Sequence, residues 1–129
     1  MTLGAGTTVN GNNGDGVHAE GVNGVVNVDT KGTINSANGD GVDASTSGTG
    51  DVHVNGTAAI NVTAGLGDGI VVTSTNGNLF VGDTGGGYGG PIDTAGGNGI
   101  KAYITNATST GNIAVTTSAA GTITGDADN

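Results

Sequence analysis

"NGDGVDAST", residues 38–46, holds the pattern that decides the fold. Its centre, Gly39-Asp40-Gly41-Val42, returns as Gly14-Asp15-Gly16-Val17, Gly67-Asp68-Gly69-Ile70 and Gly97-Asn98-Gly99-Ile100. The tetrads stand 25, 28 and 30 residues apart, a spacing typical of stacked repeats. Between them the chain runs through three short alternating segments, separated by Gly, Asn, Asp, Ser and Thr. The first segment carries the aliphatic pairs Val17/Ala19, Val42/Ala44, Ile70/Val72 and Ile100/Ala102. The second carries Val26/Val28, Val52/Val54, Leu79/Val81 and Ile113/Val115. The third adds one apolar residue per unit: Ile34, Ile60, Ile92 and Ile123.

Alternation with a period of two marks half-buried strands. Three such strands per unit, joined by glycine-containing corners, describe one rung of a parallel β-solenoid. Each rung then sets its aliphatics over those of the rung below, at the roughly 4.8 Å spacing of paired strands. Helix is a poor alternative, because Gly and β-branched residues dominate while Leu, Glu, Lys and Arg are scarce. An antiparallel sandwich also uses short strands, but does not require one three-segment unit to recur in register. Val28 and Ile34, and Val54 and Ile60, are both six residues apart, as are Leu3 and Val9. That spacing places Met1 where Val26 falls, so the chain opens at a second segment. The expectation is one all-β domain over residues 1–129, with about four and two-thirds rungs.

In each tetrad, glycine supplies positive φ or lets neighbouring coils approach closely. Asp or Asn tolerates the left-handed region and can bond its own backbone. The aliphatic that follows points inward. This structural reading is sufficient by itself.

Composition excludes several functions. The chain has 29 Gly and no Cys or Trp, and its two cations are Lys31 and Lys101, against 11 acidic residues and a net charge of −9. Nucleic acid is disfavoured, since phosphates need Lys and Arg clusters, and so are anionic membrane surfaces. No apolar run approaches the roughly 18 residues of a membrane span. "MTLGAGTTVN" shows no basic region followed by an apolar one, so no export signal is expected within this chain. Low aromatic and high glycine content is shared with disordered chains, but disorder does not explain aliphatics spaced two apart.

The stretch "GDGVDASTSGTGDVHVNGTAAINVTA" resembles the degenerate repeats of bacterial autotransporter passengers and related large exported adhesins. The resemblance covers Met1 to about Thr124 and lies in composition and period, not in a catalytic signature. It implies a right-handed parallel β-helix at a bacterial cell surface or outside the cell, serving as a structural or adhesive module that binds a host-surface or matrix ligand. The chain departs from the family in being far shorter than a passenger. The competing expectation is a subunit that stacks head to tail into an extracellular filament.

Candidate chemistry follows from the columns. Asp15, Asp40 and Asp68 stack with Asn98 into a ladder, the chain's one weak calcium candidate. Calcium-binding β-roll repeats have a much shorter period, and "GGNGIKAYI" has Lys101 where an aspartate is wanted. Solvated turn carboxylates are therefore expected. His18 falls over Asp43, and Glu20 over Ser45, a grouping that invites a catalytic triad. Nothing adds an oxyanion hole or a pocket, so a surface His–Asp pair is the default. Polysaccharide-cleaving β-helices need clustered carboxylates with a basic residue, or a paired set in a cleft, which this Arg-free chain does not offer. The third-strand outward pairs, from Thr8/Asn10 to Thr122/Thr124, are too mixed for an ice-binding lattice. No enzyme and no cofactor are expected.

Two further surfaces stand out. The insertion "GDTGGGYGGPID" places Tyr88 at a loop tip beside outward Phe80, a candidate partner contact, since loops on rigid scaffolds often carry binding. The solenoid ends expose Met1, Leu3 and Val9 on one side and Ile100, Ile113, Val115 and Ile123 on the other. Contact of the chain with itself through these ends is the expected route of assembly.

Overall fold

The alternating segments become parallel strands in a computed structural model of the chain, which describes residues 1–125. Strands are numbered in chain order. One sheet stacks β1 (Thr8–Gly11), β4 (Thr33–Ser36), β7 (Ala59–Val62), β10 (Ile92–Thr94) and β13 (Ile123–Gly125). A second stacks β2 (Val17–Gly21), β5 (Val42–Thr46), β8 (Ile70–Ser74) and β11 (Ile100–Ile104). The third stacks β3 (Val26–Thr30), β6 (Val52–Gly56), β9 (Leu79–Val81) and β12 (Ile113–Val115). Each rung contributes one strand to each sheet, and there is no helix among the described residues. The chain is a β-solenoid of about four turns.

Register follows the alternation. Val17, Val42, Ile70 and Ile100 form one inward column, and Ala19, Ala44, Val72 and Ala102 the next. Val28, Val54, Val81 and Val115 form another, and Val9, Ile34, Ile60, Ile92 and Ile123 a further one. Ile34, Val42, Val52, Val54, Ile60, Ile70 and Leu79 are wholly buried. Each such side chain contributes roughly 1.5–3 kcal/mol of transfer free energy. Because slipping one residue would turn a whole strand inside out, this burial fixes the parity of every strand.

Parity leaves even-numbered slips open, and one occurs. Thr2 pairs with Asp29, with Leu3 N–H donating to Asp29 O at 2.8 Å and Asp29 N–H to Met1 O at 3.0 Å. Met1 therefore lies opposite Val28, not Val26, and Leu3 opposite Thr30. The link from Leu3 to Val9 absorbs two residues more than the matching link from Thr30 to Ile34. Leu3 still faces the core, as the alternation requires.

The tetrad glycines answer to space. None of them has positive φ, and among the described residues no other residue type does. A Cβ on Gly41 would overlap Ile60 Cγ2, and one on Gly69 would overlap Ile92 Cγ2 and Gly99 O. The second tetrad glycine thus admits the third-strand isoleucine and the backbone of the next rung, which is the close approach glycine permits.

Corner hydroxyls complete the interior. Ser36 Oγ donates to Gly39 O at 2.7 Å, and Thr94 Oγ1 to Gly97 O at 2.7 Å. Gly77 N–H donates to Ser74 Oγ at 2.7 Å. Ser36, Ser74 and Thr94 are buried, and no buried side-chain polar atom among the described residues lacks a partner, as a stable interior requires.

Candidate functional site

The sheet of β2, β5, β8 and β11 carries the chain's densest set of ionisable groups. Its rim is the tetrad column. Asp40 N–H donates to Asp15 Oδ1 at 2.8 Å, Asp68 N–H to Asp40 Oδ1 at 2.7 Å, and Asn98 N–H to Asp68 Oδ1 at 2.7 Å. The aspartates bond the backbone of the neighbouring rung instead of their own turn. One oxygen of each is thereby taken, which sets the calcium candidates Asp15, Asp40 and Asp68 in a structural ladder. Nor is the ladder uniformly solvated, as the sequence suggested: Asp68 is only 6% exposed, and Lys101 Nζ closes on its Oδ2 at 3.2 Å. That ion pair raises the lysine's pKa. The Asp40 carboxyl is raised, first by burial and then by the like charges of Asp68, Asp15 and Asp43, against the hydrogen bond from Asp68 N–H.

His18 sits at the centre of a carboxylate cluster. Its register partner on β5 is Asp43, as the repeat alignment placed it. Nδ1 lies 3.1 Å from Asp43 Oδ2 and 3.4 Å from Asp15 Oδ2, while Nε2 lies 3.6 Å from Glu20 Oε1. The contribution of Asp15 was missed at the sequence level. The visible signal was its position three residues before His18, at a corner that turns the carboxylate onto the strand face. Burial raises the Asp43 carboxyl most, with Asp15 and Glu20 adding to the rise and His18 opposing it. Val71, Lys101 and Tyr103 continue this outward face on β8 and β11. Asp43 and Ser45 share an open groove with Lys101 and Tyr103.

The neighbouring sheet carries a second histidine. His53 Nδ1 and Asp83 Oδ2 are 2.6 Å apart, and Asn55 Nδ2 donates to Asp83 Oδ1 at 2.6 Å. Burial works to raise the Asp83 carboxyl, but the hydrogen bonds from Asn55 and His53 prevail and lower it. The His53 ring stacks on Phe80 with centroids 4.7 Å apart. Phe80 is outward and half-buried, as its position in the strand requires. Asp83 opens the glycine-rich insertion and is pinned to β6 by these contacts, which the sequence reading did not foresee.

Tyr88 corrects that reading. It is not at an exposed tip: the side chain is wholly buried, with Oη donating to Ala58 O at 3.0 Å and lying 3.2 Å from Thr30 Oγ1. Gly85, Gly86 and Gly87 all adopt positive φ (65°, 89° and 112°), and the loop folds back on the solenoid. Burial pushes the Tyr88 phenol up to about 12. Tyr88 therefore fills a corner of the core and offers no free contact to a partner.

At the ends, Met1 is exposed and Leu3 and Val9 are partly so; Ile113, Val115 and Ile123 are 49%, 46% and 44% exposed. Ile100 is partly buried. These residues belong to columns whose inner members are sealed. No family model matches the chain, and no curated protein or solved structure matches it.

Proposed function

We propose that the chain is a structural, adhesive module of a bacterial surface protein, a rod that displays side-chain columns and performs no catalysis. One observation carries this reading. The inward columns run unbroken to the last rung, where Ile113, Val115 and Ile123 stand half-exposed although their partners Leu79, Val81 and Ile92 are at most 1% exposed. Such an edge suits continuation by a further rung. A rod built this way keeps its core specification separate from its outward positions, which are then free to recognise a matrix or host-surface ligand. Antibodies to the folded chain should label intact producing cells. Labelling that appears only after permeabilisation would refute the surface reading.

The same exposed edges favour a second reading, a subunit stacking on copies of itself. The two ends differ in sequence, so the contact is head to tail and open unless rotation closes a ring. A net charge of −9 opposes association, and salt screens that repulsion. Light scattering and negative-stain microscopy should then show fibres that grow with ionic strength and are suppressed by Ile123→Lys. Discrete monomers at high protein concentration and molar salt would leave only the rod reading.

A further inference from the structure

The His18 corner has the parts of a metal site. We propose that Asp15, His18 and Asp43 bind one divalent transition-metal ion of borderline softness, with Zn²⁺ as the reference case. The donors Nδ1 of His18 and one oxygen each of Asp15 and Asp43 all lie within 4.8 Å of one another. Two of the three separations are 3.1 and 3.4 Å. With bonds of about 2.1 Å, the edge of a tetrahedral zinc site measures about 3.4 Å. Those two edges are already near the required length, and the third, between the two carboxylates, is at most 4.8 Å.

The donors stand on rigid elements that hold them for this purpose. His18 and Asp43 are register neighbours on paired strands. Asp15 Oδ1 accepts the Asp40 N–H at 2.8 Å, which orients the carboxylate and leaves Oδ2 for an ion. Glu20 Oε1 lies off the opposite edge of the ring, 3.6 Å from Nε2 and beyond hydrogen-bond length.

Donor chemistry selects the ion. Calcium takes six to eight oxygen ligands, whereas this corner offers one nitrogen and two carboxylates. Imidazole with carboxylate suits zinc, cobalt, nickel and copper. The half-exposed His18 side chain leaves the fourth position open to water. His53 provides the internal contrast. It has one carboxylate partner, Asp83, whose second oxygen is taken by Asn55, and its ring is stacked on Phe80.

The test uses the whole purified chain and needs no knowledge of its biological partner. Calorimetry with Zn²⁺ and visible absorption with Co²⁺ should each report one ion per chain, with the strong visible bands of four-coordinate cobalt. His18→Ala and Asp43→Asn should each weaken binding by more than about tenfold. His53→Ala should bind as the parent does. Circular dichroism melts in chelator check that the variants fold, which their outward positions favour. Binding that survives His18→Ala, binding that is lost in His53→Ala, or no uptake at millimolar Zn²⁺ would each overturn the assignment.

Discussion

Tyr88→Phe removes one oxygen from a sealed corner. In the parent that oxygen donates to Ala58 O and meets Thr30 Oγ1. Thr30 keeps a second partner, Asn55 O at 3.2 Å, so the main loss falls on the Ala58 carbonyl. Leaving a buried acceptor unpaired costs about 1–3 kcal/mol. A loss of about 2 kcal/mol lowers Tm by roughly 5–10 °C in a chain of this size. If Tyr88 stood at a solvated loop tip, the change would stay within about 0.5 kcal/mol. Thermal melts of parent and variant at neutral pH separate the two cases. A Tm difference of only about 1 °C would refute the buried placement.

Alkaline pH gives a second, opposite-signed readout on the same pair. Burial holds the phenol's pKa at about 12 in the folded chain, above its ordinary 10.0. Below pH 10 the group is neutral in both states, and its stabilising contribution is complete. Between about 10 and 12 the unfolded chain ionises first, so stability falls as pH rises through that window. The rise from 10.0 to about 12 is worth about 2.7 kcal/mol. The Tyr88→Phe variant lacks this loss, so its deficit relative to the parent should shrink and vanish by about pH 12. Every other ionisable group is common to the two proteins and cancels in the comparison. A deficit that stays constant across the window would mean that Tyr88 reaches solvent.

Four further outcomes test the frame. Val54→Asp should prevent folding, because an uncompensated buried charge costs about 3–5 kcal/mol, whereas His53→Ala, one residue along and outward, should lower Tm only slightly; equal effects would refute the register. Gly41→Ala should destabilise strongly through overlap with Ile60 and the following rung, and Gly14→Ala, whose Cβ would meet nothing within 4 Å, should be nearly neutral by thermal melt. Asp40→Asn should raise stability at pH 7 by about 1 kcal/mol, the scale of one exposed like-charge contact. The sign follows from the raised carboxyl: protonated Asp40 stabilises the fold below its ordinary pKa, that contribution is lost as pH rises through the folded value, and the variant's gain should disappear in acid. Millimolar calcium should move Tm little in parent and variant alike, and a large rise abolished by Asp40→Asn would make the ladder a calcium site.

The columns were legible because β-branched residues at period two, punctuated by tetrads, leave only one face to bury. Val42 over Ile70, or Ile34 over Ile60, needs no knowledge beyond that. Three features escaped for physical reasons. The offset of Met1 to Leu3 conserves parity, and hydrophobic alternation is blind to a slip of two. Ser36, Ser74 and Thr94 read as turn residues by composition, yet their hydroxyls point inward to satisfy corner carbonyls and amides. Tyr88 stands among glycines whose positive φ can either extend a loop or fold it back, and only the partners Ala58 and Thr30, 30 and 58 residues away, settle which. At the candidate site, the His18–Asp43 pair followed from register alone. Asp15 did not, because a corner residue's direction depends on the ladder that holds it.

That ladder bears on where function resides. A tetrad acceptor needs an oxygen for the next rung's N–H, and asparagine supplies one equally well. Elsewhere the chain shows this: Asn78 Oδ1 accepts Asn112 N–H at 2.9 Å. In the Asp51 column the charge appears once, above Asn78. The tetrad column instead keeps three aspartates in succession, and like-charge repulsion acts against them. Only Asp68 receives a lysine. Folding does not require the remaining negative charge, which gathers on the one face that also presents His18, Asp43 and Glu20. A fold indifferent between aspartate and asparagine leaves that choice to recognition, and a cation is the chemistry such a face is built to attract.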